Sequence, residues 1–216
     1  MQRGKFITFE GSEGCGKSTQ IKRFVEMLTD RGFETIQTRE PGGTAVGERI
    51  RDLLQHDDAG SQLTDESELL LFAASRAQLV REVIAPALEK GIWVIADRFL
   101  DSTTVYQGGG RGLNIESVQQ INAFAVGDTM PDLTILLDLD AATDHARAVA
   151  ATGDKPDRME SQPMAFFEKV RQGYLDLATS EPERISVIDA SDSIDGVAAQ
   201  IRELFETRFP DFDATK

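Results

Sequence analysis

The sequence predicts an α/β fold of three layers, with helices on both faces of a five-stranded parallel sheet. Three observations predict it. Short apolar runs alternate with long amphipathic stretches, the first run has the make-up of a buried strand, and no internal repeat or low-complexity tract interrupts the alternation. Crossovers between parallel strands of such a sheet are expected to be right-handed.

The elements follow in order. Phe6-Ile7-Thr8-Phe9 reads as a buried strand, and Lys17 to Thr29 as a helix ended by Asp30-Arg31-Gly32. Phe33 to Thr38 is a second strand, with the polar alternation of a sheet edge. Val46 to Leu54 is a short helix, and His56 to Thr64 is an acidic polar loop, the nearest thing to a linker. Asp65 to Lys90 is a long helical pattern that Pro86 breaks near its end and Gly91 closes. Ile92 to Ala96 is the third strand, Ile115 to Val126 a helix, and Asp132 to Asp138 the fourth strand. Another helix follows, then a Gly/Asp/Pro-containing segment from Thr152 to Asp157. Pro163 to Ala178 is helical, Ile185 to Ile188 is the fifth strand, Ile194 to Phe209 the closing helix, and Pro210 to Lys216 a frayed tail.

Composition narrows the function classes. A chain of 216 residues, 40% hydrophobic, suits one domain with a proper core. Its net charge of −14 would repel a nucleic-acid polymer unless positive charge gathers in one cleft. A single cysteine, Cys15, rules out an internal disulfide and fits a reducing compartment. There is no apolar run of signal-peptide or membrane-spanning length, so a cytoplasmic location is expected. His56 and His145 stand far apart without a neighbouring cysteine, which argues against zinc.

Gly11-Ser12-Glu13-Gly14-Cys15-Gly16-Lys17-Ser18 matches GxxxxGK[ST] between a strand and a helix, the context this phosphate loop requires. Glycines let the backbone curl so that successive N–H groups face phosphate oxygens, and the helix N-terminus adds partial positive charge. The fold expectation thereby sharpens to the P-loop NTPase type, with Lys17 on the β- and γ-phosphates of ATP and the Ser18 hydroxyl on Mg²⁺. Asp97, at the end of the third strand, is the second candidate carboxylate for Mg²⁺; the alternative is a simple cap, and Asp138 is a weaker competitor. Cys15, beside Lys17 at a helix N-terminus, is a candidate low-pKa thiol; the alternative is that the loop needs a small residue there.

Three features point to an acceptor site. Phe72 and Arg76 lie four apart on one helical face, where a ring can stack on a base and a guanidinium can donate to it. Core packing accounts for Phe72 equally well, whereas a buried arginine demands a partner. Arg51 and Arg98 suit a bidentate grip on an acceptor phosphate. Tyr106-Gln107-Gly108-Gly109-Gly110-Arg111 sets an aromatic and an amide before a very flexible turn.

Across nearly its whole length the chain resembles the bacterial thymidylate kinases (dTMP kinases). The resemblance is carried by Phe9 to Thr19, Thr38-Arg39-Glu40-Pro41-Gly42-Gly43-Thr44, Leu71 to Arg76, Asp97-Arg98-Phe99, Tyr106-Gln107-Gly108 and Pro131-Asp132-Leu133-Thr134. It implies a nucleoside-monophosphate-kinase-like fold with a lid, residues 1–216 forming one kinase domain with the lid at about 147–160. It implies phosphoryl transfer from ATP, with Mg²⁺, to dTMP, and a homodimer. Phe72 would stack on thymine, Arg76 would bond its O4, and Gln107, with Thr103 nearby, would meet its edge. Arg98 and Arg51 would hold the dTMP phosphate, Tyr106 would favour deoxyribose, and Glu13 would meet the 3′-hydroxyl. Glu40 would sit near the acceptor and a metal-bound water, Asp97 would act on Mg²⁺ through water, and Ala190-Ser191 would hold adenine. The loop residues Gly11, Ser12, Glu13, Gly14, Cys15, Gly16, Lys17, Ser18 and Thr19 would take the ATP phosphates.

Two departures stand out. Phe99 occupies a place where many members carry Tyr or His. Glycine at position 14 implies that the transition-state arginine comes from the lid, where Arg147 and Arg158 are the only arginines and Lys155 a third cation. Loss of such an arginine costs ~10³ or more in rate, whereas a surface ion pair is worth little. Two rivals remain at this point: another small-molecule kinase on the same fold, and a non-enzymatic P-loop switch. The helical face around Gln119, Ile121, Asn122, Phe124 and Ala125, with parts of the long helix, is the candidate dimer surface, although such apolar faces are more often core.

Overall fold

The computed structural model describes residues 3–152 and 163–210. Five parallel strands form one sheet: β1 (Phe6–Glu10), β2 (Thr35–Arg39), β3 (Trp93–Asp97), β4 (Leu133–Asp138) and β5 (Ile185–Asp189), in the order β2-β3-β1-β4-β5. β1 lies between β3 and β4, with Phe9 opposite both Asp97 and Ile135. β2 is the expected edge strand, and its side chains are accordingly half-covered.

Side chains alternate between the two faces of each strand, and each face is packed. Ile7, Phe9, Trp93, Ile95, Ile135 and Leu137 point to one side. There they meet Phe24 and Leu28 of α1 (Lys17–Asp30) and Ile201 and Phe205 of α9 (Ile194–Arg208). Phe6, Val94 and Ala96 point to the other side, towards Leu79, Val80, Ile84 and Leu88. Those residues come from one helical rod: α3 (Asp65–Leu79), a π-helical turn (Val80–Ile84) and α4 (Ala85–Glu89). Pro86 does not interrupt the rod as the sequence suggests. It has no N–H for the carbonyl four residues back, and the rod widens ahead of it, Ala85 bonding Val80 O five residues back. α6 (Ile115–Val126) also lies on this side, where its Val126 joins the same cluster; α2 (Ala45–Gln55) packs against α3.

Two stretches differ from expectation. The acidic loop contains a 3₁₀ turn, Asp58–Gln62, started by the Asp57 carboxylate accepting from Ala59 N at 2.8 Å. The segment expected to be a flexible glycine turn is ordered helix: α5 (Leu100–Thr103) runs into a π-helical segment (Thr104–Gly110). Two of its glycines serve close packing. A Cβ on Gly110 would lie 2.5 Å from Phe166 of α8 (Met164–Ser180), and one on Gly108 would lie 2.8 Å from Ile115. α7 (Ala141–Thr152) follows β4. Most of the Thr152–Asp157 segment, and all of the tail beyond Pro210, lie outside the described residues.

One buried polar cluster ties the helical segment after β3 to the sheet. Asp101 takes both Arg184 nitrogens, at 2.6 and 2.8 Å, and accepts from Thr134 Oγ1, which pairs with Thr8 Oγ1. Removing Asp101 takes two charge-assisted bonds from the buried Arg184 and leaves it Glu181 and Thr134. Asp101→Ala should therefore lower the unfolding free energy by about 3 kcal/mol, as read from urea denaturation.

Candidate active site

β1 carries its chain directly into the phosphate loop. Gly11 takes φ 131° and Gly16, the residue before α1, takes φ 91°. A Cβ on Gly11 would lie 2.6 Å from Leu137 O, so the curl at that point needs glycine for space as well as for conformation. The Lys17 ammonium lies within the loop, donating to Gly11 O at 3.1 Å and to Ser12 O. Cys15 is buried, its Sγ bonded to Ser12 O at 3.1 Å. Burial pushes this thiol up, outweighing the nearby Lys17, so the low-pKa thiol suggested by the sequence is corrected. A helix N-terminus and a lysine lower a thiol's pKa only where their favourable field exceeds the cost of taking the thiolate out of water.

Beyond the loop a cleft of about 420 Å³ opens between the start of α1, the end of β3, α2 and α3. Its walls include the cations Lys17, Arg39, Arg51, Arg76, Arg98 and Arg147, against the carboxylates Glu13, Glu40 and Asp97. A strongly acidic chain thus turns positive charge into one concavity, which focuses the field on an anionic ligand. Ser18, Thr19, Phe72, Thr103, Tyr106 and Gln107 complete the walls named by the sequence. Phe72 is half-buried there, in place of the full core burial that was its alternative.

Arg98 has φ 69°, the one positive value outside glycine among the described residues. For a residue with a Cβ this costs roughly 1–2 kcal/mol, and buried bonds on either side over-determine it. Glu10, the last residue of β1, accepts from Phe99 N at 2.8 Å, Ser102 N at 3.3 Å and Ser102 Oγ at 2.6 Å. Tyr174 of α8 donates to the same carboxylate at 2.8 Å. The turn so held sends the Arg98 guanidinium into the cleft. It meets Glu13 at 2.6 Å, Ser102 Oγ at 3.1 Å and Tyr174 OH at 3.2 Å, and lies 5.3 Å from the Tyr106 ring centroid. Burial works against the Glu13 charge, but Arg98 and Lys17 outweigh it and hold that carboxyl below its usual range. Burial, with Asp101 adding to it, pushes Glu10 up.

Arg76 is 1% exposed, and its required partner is Glu40. Nε and Nη2 both reach Glu40 Oε2, at 2.8 and 2.6 Å, while Nη1 donates to Asn122 and Nη2 to Thr103 Oγ1. Glu40 Oε1 has no hydrogen-bond partner among the described residues. Burial pushes the Glu40 carboxyl up to about 7; Arg76 works against this and Glu10 adds to it. Gln107 gives its amide to Glu68 at 2.8 Å, which turns the Gln107 side chain across the cleft wall. Arg51 donates to Pro41 O at 3.0 Å, tying α2 to the Glu40 loop.

One cleft with a phosphate loop at one end and a cluster of guanidinium groups at the other suits two anionic ligands. The model of the thymidylate kinase family matches residues 9–201. The thymidylate kinase of Geobacter sulfurreducens is 46% identical over 96% of this chain and 99% of its own, and that of Deinococcus radiodurans 47% identical over 93% and 96%. The crystal structure of the Ehrlichia chaffeensis thymidylate kinase superposes with a TM-score of 0.76 at 34% identity, covering 94% of this chain and 99% of that one.

The chain belongs to the thymidylate kinase family.

Against the family's motifs, the cleft gathers Glu13, Gly14, Gly16, Lys17, Ser18, Thr19, Glu40, Arg51, Phe72, Arg76, Asp97, Arg98, Thr103, Tyr106, Gln107 and Arg147. Gly11, Ser12 and Cys15 shape the loop from behind, and Ala190 and Ser191 follow β5 without lining the cleft. Arg158 and Lys155 lie outside the described residues. Asp138 is engaged by Arg171 at 2.7 and 2.9 Å and does not line the cleft, which removes it as a competitor of Asp97. Sequence reasoning missed Ser102, Tyr174 and Asp144, and gave Glu10 no role of its own. A buried glutamate at a strand end was the one signal available, because a carboxylate there must find donors.

The Glu40 carboxyl, which ionises at 4.5 when unfolded and near 7 when folded, keeps its proton longer in the native state. Its contribution to stability is full below pH 4.5 and is lost as pH rises to about 7. Relative to Glu40→Gln, the wild type should lose unfolding free energy over that window and run parallel above it, as measured by denaturant titration at a series of pH values.

Proposed function

We propose that this protein is an ATP-dependent nucleoside-monophosphate kinase, a phosphotransferase that moves the γ-phosphate of ATP to dTMP, giving ADP and dTDP for deoxynucleotide biosynthesis. The observation that carries the reading is the single cleft with the phosphate loop at one end and Phe72, Arg51 and Arg98 at the other. A nucleotide switch has no use for the second half.

The chain's own groups act by positioning and charge. Backbone amides of the loop and the start of α1 take the ATP phosphates, and Lys17 exchanges its loop carbonyls for phosphate oxygens. Phe72 stacks on thymine, with Arg76, Gln107 and Thr103 along its edge; Arg76 is oriented for this by Glu40. Arg98 and Arg51 take the dTMP phosphate, and Tyr106 and Glu13 face the sugar. No protein nucleophile is needed, because the attacking phosphate oxygen is already ionised. Arg147 balances charge on the transferring group, and closure of a lid at about 147–160 excludes water so that transfer outruns hydrolysis. We read residues 1–216 as one kinase domain, with adenine beside Ala190-Ser191.

Ser18 and Asp97 fit a magnesium ion. They supply a hydroxyl and a carboxylate from facing strand and helix ends in one cleft, and Mg²⁺ takes hard oxygen donors while keeping most of its waters. Among the described residues there is no cluster of three or more metal-binding side chains, so this ion would be held largely by the nucleotide. When bound it neutralises the β- and γ-phosphate oxygens.

A homodimer through α3 and α6 is part of the reading. Leu70, Ile115 and Phe124 are exposed there, Phe124 by 86%. Asn122 and Ala125, included in that face on sequence grounds, are instead 2% and 1% exposed inside the protomer. Phe124→Glu should shift sedimentation from dimer to monomer. Among the described residues no helix is long and apolar enough to cross a membrane. We take the enzyme to work in the cytoplasm, where its nucleotide substrates are.

Two measurements test the reaction. ADP release from ATP should depend on added dTMP, and equal turnover with and without it overturns the assignment. Arg147→Ala should lower kcat by roughly 10³ with little change in the KM for dTMP; an unchanged kcat would remove Arg147 from the mechanism.

A further inference from the structure

The phosphate loop makes one contact that this chemistry does not use. Asp144, in the first turn of α7, is 2% exposed. Its Oδ1 accepts from Gly14 N at 2.9 Å, and Ser12 supplies a side-chain hydrogen bond. A carboxylate is expensive to bury without donors, and both of these donors belong to the phosphate loop. Lys17 adds favourable charge from the same loop. Arg147 follows three residues later, one turn on, so the two share a face of α7. Arg147 is exposed and lines the cleft. One side of the helix thus carries an anchor fastened to the loop and a cation at the cleft.

We propose that Asp144 is a positioning residue for Arg147. By docking the first turn of α7 onto the loop, it fixes the root of a long side chain whose head must meet the transferring phosphoryl group. A misplaced root costs rate without costing substrate affinity, because the guanidinium matters most where charge develops. The proposal rests on the reading of Arg147 given above and adds what holds it in place. A carboxylate competing with ATP for the Gly14 amide is the opposite case, since its removal would tighten ATP binding and spare turnover.

The experiment is a double-mutant cycle on the full chain. It compares wild type, Asp144→Ala, Asp144→Asn, Arg147→Ala and Asp144→Ala/Arg147→Ala by steady-state kinetics and by ATP titration calorimetry. Asp144→Ala should lower kcat by roughly tenfold or more, with the KM for dTMP and the ATP Kd within about threefold of wild type. Asp144→Asn, whose amide oxygen still accepts from Gly14, should recover most of the loss. In the Arg147→Ala background, Asp144→Ala should cost nothing further, because coupled residues are non-additive. Should Asp144→Ala not fold, Asp144→Glu serves in the same cycle, keeping the charge but moving the anchor by a methylene. Losses that multiply independently, a KM for dTMP that rises with the fall in kcat, or tighter ATP binding at unchanged kcat would each overturn the proposal. If Arg147→Ala lowers kcat and neither Asp144 variant does, this inference alone falls. If Arg147→Ala leaves kcat unchanged, the role of Arg147 falls with it, and dTMP-dependent ADP release still tests the reaction separately.

Discussion

The grip of Glu10 on the turn after β3 is the interaction on which the rest of the site depends. β1 ends in this buried carboxylate, and the next residue begins the phosphate loop. The same carboxylate takes the amides of Phe99 and Ser102 and thereby keeps Arg98 in a conformation that a residue with a Cβ otherwise avoids. One side chain therefore links the start of the phosphate loop to the turn that carries the Arg98 guanidinium. Parallel pairing of β1 with β3 brings Phe9 level with Asp97, so the strand ends already lie side by side. Tyr174 closes the arrangement from α8, bonding both Glu10 and Arg98.

Electrostatics sort the buried charges by their partners. Arg76 pairs with one oxygen of Glu40 in the cleft wall, and Arg184 pairs with both oxygens of Asp101 beneath it. Breaking either pair is more costly than the pair is stabilising, because the survivor stays desolvated. Such pairs hold planar groups at fixed angles. Exposed pairs such as Arg23 with Asp195 carry no comparable constraint.

Charge distribution explains how an acidic chain accommodates two polyanions. The whole chain carries a net charge of −14, a balance unfavourable to anionic ligands in general. Within the cleft the balance reverses, and low-dielectric walls strengthen that local field.

The sequence by itself determined the sheet, the phosphate loop and the identity of most cleft residues. Apolar runs report burial directly, and the loop is a local motif whose glycine spacing is its own geometry. Element ends moved by only a residue or two, as at β1 and α1, because strands and helices fray into their caps. The course of residues 99–110 was not legible, since glycines read as flexible until Phe166 and Ile115 arrive from distant positions to pack on them. The state of Cys15 stayed open between two readings for the same reason: local charge was visible and long-range burial was not. Only the tertiary structure decided that Arg76 pairs with Glu40, that Asp138 belongs to Arg171, and that Glu10, Tyr174 and Asp144 stand behind the site. Each of these contacts joins residues 33 to 164 positions apart. The physical reason is that a buried polar group must find a partner, but which partner depends on how the chain folds around it.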